Sequence, residues 1–199
     1  VTYNGIDTTR FQLAQDTTSP DGPIVTVGRL VEQKNHALFL RAAAQLIHSG
    51  VERQFIIVGD GPLRATLEAQ AADLDISNHV TFAGERRDVD TILHGAALFW
   101  LTSEWEGMPN VVLEAMASGV PVIATDVSGV AELIRPGVDG YIVPRQDPEA
   151  IVQRSRELLL DPARWQQYRQ AARSRAEGFS TTQALATLSD LYDEVARGT

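Results

Sequence analysis

The chain has 199 residues, enough for one sizeable hydrophobic core, and carries a formal net charge of −9. That acidity argues against nucleic acid, or an anionic membrane, as a partner recruited by bulk charge, while leaving room for a local basic pocket. There is no cysteine, which excludes disulfides and thiolate metal sites, and no stretch reads as a secretory h-region or an apolar span. The first residue is Val1 rather than methionine, so an excised piece of a longer protein is expected.

In chain order, an opening segment VTYNGIDTTRF leads to a turn-rich stretch from Thr17 to Pro23, and short apolar runs then alternate with helical patterns. Ile24–Val27, Phe55–Val58, Val80–Ala83, Ala97–Leu101 and Val122–Ala124 read as strands, with Tyr141–Val143 as a last addition. They are almost wholly apolar rather than alternating, the pattern of parallel strands covered on both faces. Between them Asn35–His48, Pro62–Leu74, Asp88–His94 and Pro109–Ala117 have helical spacing, with Asn35 able to cap the first and Pro62 able to open the second. Pro148–Leu160, Pro162–Glu177 and Thr182–Arg197 complete the series. Strands alternating with helices predict right-handed βαβ units in an α/β, doubly wound, Rossmann-like parallel sheet with helices on both faces. No internal repeat or low-complexity tract interrupts residues 1–199, which read as a single domain.

In such sheets ligands lie beyond the carboxyl ends of the strands where strand order reverses, between the first and fourth strands. The loop after the first strand is GRLVEQK, Gly28 to Lys34, and the loop after the fourth is TSEWEGMP, Thr102 to Pro109. These loops, remote in sequence, are expected to meet. Arg29 can grip a diphosphate in bidentate fashion and Lys34 adds a point charge. The run EWEGMPNVVLEAMASGV, Glu104 to Val120, sets Glu106 before a turn containing Gly107 and Pro109, and Glu114 beyond it on a helix. Its first backbone N–H groups attract phosphate, and the carboxylates accept hydrogen bonds from hydroxyls. A ligand bearing both phosphates and hydroxyls, a sugar nucleotide, fits that set. Glu114 stands in apolar sequence among Leu113, Ala115, Met116 and Ala117, where a carboxylate is expected to have a partner.

Other features are weaker. Gly59-Asp60-Gly61-Pro62 follows the second strand, and Arg64 stands where a dinucleotide fingerprint needs a third glycine; a tight turn edging the nucleotide pocket fits better. Asp88 reads as a helix cap and Asp90 as a first-turn residue rather than as a metal pair. His36, His48, His79 and His94 lack ligand spacing, with His36 alone near the crevice. Trp105 has two readings, a wall of the sugar pocket or a plug in the sheet end.

Together GRLVEQKNH, VGDGP, VTFAGERRDV, SEWEGMPNVVLEAMASGVPVIATDVSGVAELI and the PGVDGYIVP turn resemble the C-terminal, donor-binding half of a retaining GT-B glycosyltransferase of the large family 4, with its Glu-x7-Glu signature, from about Tyr3 to Tyr192. The opening YNGID…F, within residues 1–23, resembles the inter-domain passage, and FSTTQALATLSDLYDEV, within 180–197, resembles the closing helix that packs toward an N-terminal domain. The resemblance implies catalytic roles for Arg29, Lys34 and Glu106: the two cations bind the donor diphosphate and stabilise the departing nucleotide, and Glu106 holds hydroxyls of the transferred sugar. Glu114 would hold the ribose, with Gly28, Gly59, Gly61, Gly107, Met108, Asn110 and Val111 completing the donor site. It implies no cofactor and no metal, a nucleoside-diphosphate sugar as donor, and an acceptor held by a missing N-terminal domain, which would also make any membrane contact. The implied setting is polysaccharide or glycolipid synthesis in the cytoplasm or at the inner face of its membrane, with the fragment inactive by itself. A GT-B sugar-nucleotide epimerase and a non-catalytic nucleotide-sugar-binding module are the competing readings.

Overall fold

The structure, a computed structural model, describes residues 5–13 and 19–186. Six strands form one sheet: β1 Ile24–Val27, β2 Phe55–Val58, β3 Val80–Gly84, β4 Leu98–Leu101, β5 Val122–Thr125 and β6 Gly140–Val143. Every pairing is parallel and the order is β3-β2-β1-β4-β5-β6, so the sheet reverses between β1 and β4. The alternation of side chains across a strand splits the core in two. Ile24, Phe55, Leu98 and Trp100 enter one apolar cluster while Val25, Phe99, Leu101 and Val122 enter the other. In the first, Phe39 and Phe55 flank Trp100 with ring centroids 5.3 and 5.7 Å from it. β4 and β5 are wholly buried, but edge strand β3 is half-exposed and presents Thr81 to solvent.

The helices are α1 His36–His48, α2 Arg64–Asp73, α3 Val89–His94, α4 Asn110–Ala117, α5 Val130–Leu133, α6 Pro148–Leu159 and α7 Pro162–Glu177. Asn35 caps α1 as expected, its side-chain oxygen accepting from the Leu38 N–H at 3.2 Å. Three expected helix starts move. Pro62 does not open α2; it lies in a turn whose next amide, that of Leu63, donates to the Leu30 carbonyl at 3.1 Å, so the chain is still tied to the β1 loop there. Pro109 stands one position outside α4, in extended conformation, as its N-cap. Asp88 precedes α3 but makes no side-chain cap, because both its oxygens accept from Arg86, at 2.8 and 2.5 Å. Helix α5 has no counterpart among the expected elements.

The beginning and end of the described chain meet. Ile6 N–H donates to the Phe179 carbonyl at 2.8 Å and Thr181 N–H returns to the Ile6 carbonyl at 3.0 Å, joining the opening segment to a helical stretch over 181–186. The remainder of the expected closing helix, with Leu188, Leu191, Tyr192 and Val195, lies outside the described residues. Among the described residues no helix is long and apolar enough to cross a membrane.

Candidate functional site

The loops after β1 and β4 meet at the carboxyl edge of the sheet, where the strand order reverses. A 3₁₀ turn, Glu32–Lys34, ends in Asn35 with φ 45°, a left-handed conformation that an asparagine tolerates. That turn delivers Lys34 against the opposing loop. Lys34 Nζ donates to Glu106 Oε1 at 2.5 Å, and Ser103 Oγ donates to the same oxygen at 2.6 Å. The Glu106 side chain is 8% exposed and that of Lys34 is 20% exposed, so this is a largely desolvated ion pair. The loop backbones are joined as well. Thr102 Oγ1 donates to the Lys34 carbonyl at 3.0 Å, and Glu104 N–H to the Gln33 carbonyl at 2.8 Å. Thr125 Oγ1 on β5 fixes the far side by donating to the Ser103 carbonyl at 2.6 Å.

Beside the pair, a cavity of about 390 Å³ opens over the ends of β1, β2 and β3, lined by Gly28, Arg29, Gly59, Arg87 and Val89 among others. Arg29 is exposed, and among the described residues its guanidinium has no carboxylate partner. The floor depends on backbone contact. Gly59 has φ +131°, and a Cβ there would lie 2.0 Å from the Gly28 carbonyl oxygen; only glycine fits. Gly61 packs similarly against Leu30. A register shift between Ile57 and Val58 and an antiparallel bridge from Gly59 to Gly84 bring the β2 and β3 loops together at the cavity rim.

Glu114 sits on the second turn of α4, half-buried, and burial pushes its carboxyl pKa up. The charge of the Arg10 guanidinium opposes that shift. Arg10 comes from the opening segment, where its guanidinium donates to the Arg87 carbonyl at 2.6 Å and pairs with Asp90 at 3.2 Å. Met108 and Val111 are half-buried and Asn110 is exposed at the start of α4, where the Val112 N–H donates to the Pro109 carbonyl at 2.9 Å. The Gly107–Met108 turn is backed by Gly129, whose absent Cβ would fall 2.1 Å from the Gly107 carbonyl oxygen.

The structure thus brings Lys34 and Glu106 into contact and sets Gly28, Arg29 and Gly59 around one cavity. Several supporting residues were not singled out from sequence: Ser103, Thr102 and Thr125 around Glu106, Arg10 near Glu114, and Gly129 behind the turn. A hydroxyl three positions before Glu106 was the available signal for Ser103. Trp105 does not plug the sheet end; it is 58% exposed. Asp88 and Asp90 are each paired with a guanidinium, Arg86 and Arg10 respectively. Among the described residues no group of three His, Asp or Glu side chains could hold a metal ion. His36 is buried, and burial, followed by the charge of Lys34, lowers its pKa to about 4.

A family model described as "Glycosyl transferases group 1" matches residues 6–175. The Vi polysaccharide biosynthesis protein VipC/TviE of Salmonella typhi is 39% identical over 132 residues, 66% of this chain and 23% of that protein. The UDP-Gal:alpha-D-GlcNAc-diphosphoundecaprenol alpha-1,3-galactosyltransferase of Escherichia coli is 30% identical over 169 residues, 83% of this chain and 44% of that protein. The chain therefore spans less than half the length of these curated relatives. Among solved structures, Anabaena Alr3699/HepE in complex with UDP superposes with a TM-score of 0.88 at 23% identity, covering 98% of this chain and 57% of that one; at that identity the likeness establishes the fold.

Proposed function

The chain belongs to the group 1 glycosyl transferases, and on that premise we propose that it is the donor-binding half of a retaining enzyme that transfers a glycosyl group from a nucleoside-diphosphate sugar to an acceptor held by a second domain. The observation that carries the proposal is the meeting of Lys34 with Glu106, 2.5 Å apart, beside Arg29, which has no carboxylate partner among the described residues. Cation and carboxylate satisfy each other, and a ligand with a diphosphate next to sugar hydroxyls offers each a replacement partner. The diphosphate takes Arg29 and Lys34, the transferred sugar's hydroxyls take Glu106, and the ribose takes Glu114, with the base over the β2 and β3 loops.

Negative charge grows on the diphosphate as the anomeric C–O bond breaks, so Arg29 and Lys34 stabilise the transition state more than the bound donor. Attack from the same face forms the new glycosidic bond with retention, and the acceptor hydroxyl's proton passes to the departing phosphate oxygen. Two fixed cations fill the charge-neutralising role, so turnover should survive EDTA. The relatives named above act in polysaccharide synthesis or on a diphosphoundecaprenol-linked sugar, and a comparable acceptor is our reading here, with the reaction in the cytoplasm or at the inner membrane face. UDP-sugars are the first donors to test, since UDP-Gal is named for one relative and UDP is bound in the HepE structure.

The test is release of nucleoside diphosphate from UDP-, GDP- and ADP-sugars by this chain with and without the matching N-terminal domain. The expected result is binding without turnover by the chain alone, and acceptor-dependent turnover with its complement. Robust acceptor-dependent turnover by the chain alone would overturn the half-enzyme reading.

A further inference from the structure

A second cavity of about 430 Å³ lies on the other side of the Thr102–Pro109 loop, over the ends of β4 and β5. It is lined by Glu104, Trp105, Asp126, Ser128, Glu132 and Arg145 among others. Its chemistry differs from that of the Arg29 cavity. Three carboxylates surround one guanidinium, which disfavours a phosphate. One wall is Trp105, a residue 58% exposed to solvent, although an exposed tryptophan forfeits the burial that usually stabilises so large an apolar side chain.

The loop that carries the wall is held in place. Gln33 Nε2 donates to the Trp105 carbonyl at 2.9 Å, and Glu104 Oε1 accepts from both Asn35 Nδ2 and Gln146 Nε2. Gly129, on the cavity's rim, packs against the Gly107 carbonyl. The two loops that bound the cavity therefore also support the turn after Glu106.

We propose that this cavity is a saccharide subsite that binds a neutral pyranose of the acceptor beyond the part held by the second domain, with Trp105 as stacking platform and Asp126, Glu132 and Ser128 as hydroxyl partners. A pyranose offers one apolar C–H face and a rim of hydroxyls, which matches an indole flanked by carboxylate acceptors. The volume falls in the range of small-ligand sites, roughly 300–1,000 Å³. Trp105 and Glu106 are adjacent in the chain, so the subsite and the proposed contact to the transferred sugar share one loop, Thr102–Pro109. The proposal rests on the reading of the Arg29 and Lys34 crevice as the donor site, and the experiment separates the two.

The tryptophans supply the readout. Trp100 and Trp165 are 0% and 3% exposed, so Trp105 provides the one solvent-facing indole signal among the three. The ¹⁵N-labelled chain is titrated in separate arms with UDP and with a panel of methyl α-glucoside, methyl α-galactoside, maltose and lactose. A saturable shift of the Trp105 indole and of the Ser128 and Glu132 amides is expected with at least one saccharide. UDP should instead move the Gly28 and Arg29 amides. Trp105→Ala should weaken the saccharide response at Ser128 and Glu132 by about tenfold or more. No saturable response to any saccharide, or one that persists unchanged in Trp105→Ala, overturns the subsite. Failure of the nucleoside diphosphate arm, with GDP and ADP tried beside UDP, would count against the donor reading instead.

Discussion

The two halves of the sheet's carboxyl edge are built by different means. Over β1, β2 and β3 the walls are backbone against backbone, with Gly59 and Gly61 pressed onto the β1 loop and Arg29 exposed beside them. Over β4 and β5 the backbone contact of Gly129 with Gly107 is joined by side chain on side chain: Lys34 and Ser103 on Glu106, and Asn35 and Gln146 on Glu104. Backbone packing has one solution and resists change. Hydrogen-bonded side chains can exchange partners when a ligand arrives. The first half therefore supplies a rigid floor for a nucleotide, and the second supplies groups whose partners can be replaced by hydroxyls and phosphate.

The largest expected effect breaks the rigid half. Gly59→Ala places a methyl 2.0 Å from the Gly28 oxygen at φ +131°, so both sterics and backbone oppose it. A loss of about 4 kcal/mol is expected in urea denaturation, at the upper end for a point substitution. Gly107→Ala, where nothing lies within 4 Å of the added atom, should cost little stability.

The next effect is a pH dependence centred on His36, which begins α1 beside Lys34. Its pKa is lowered to about 4 by burial first and by the Lys34 charge second. The unfolded chain binds a proton near pH 6.5 that the folded chain refuses until about 4. The stabilising contribution is therefore complete above pH 6.5 and is lost as pH falls toward 4, by about 3 kcal/mol. Denaturation of the wild type and of His36→Gln across that window should show the difference between them shrinking by that amount.

On the exchangeable half, the two glutamates should separate. Glu114→Gln should weaken the free nucleoside diphosphate about tenfold, through the ribose, while stabilising the empty protein, because burial disfavours its charge. Glu106→Gln should leave the free nucleotide nearly unchanged and weaken the sugar nucleotide. Paired titrations with UDP and a UDP-sugar check this, and swapped phenotypes would reverse the assigned roles.

The same contrast explains what could be read from sequence. Continuous apolar runs announce strands, and β1 and β2 match their expected bounds residue for residue. The switch point between β1 and β4 follows from alternation together with the usual doubly wound strand order, and with it the meeting of the loops that carry Lys34 and Glu106. Short-range competition was illegible. Asp88 reads as a cap until Arg86 takes both its oxygens, and Pro62 reads as a helix start until Leu63 bonds back to Leu30. Helix α5 is four residues long, too short to show a period. The second cavity draws on loops twenty and forty residues apart, and no spacing rule links Trp105 with Asp126 and Arg145.

The central claim is that Arg29 and Lys34 bind a diphosphate at the switch point. Calorimetry of UDP, GDP and ADP against their nucleosides, on wild type, Arg29→Ala and Lys34→Ala, tests it most directly. The account predicts that at least one nucleoside diphosphate binds, that each substitution weakens it by about ten- to hundredfold, and that the nucleosides are nearly indifferent. Equal weakening of nucleoside and diphosphate, or no binding of any of the three, would contradict it.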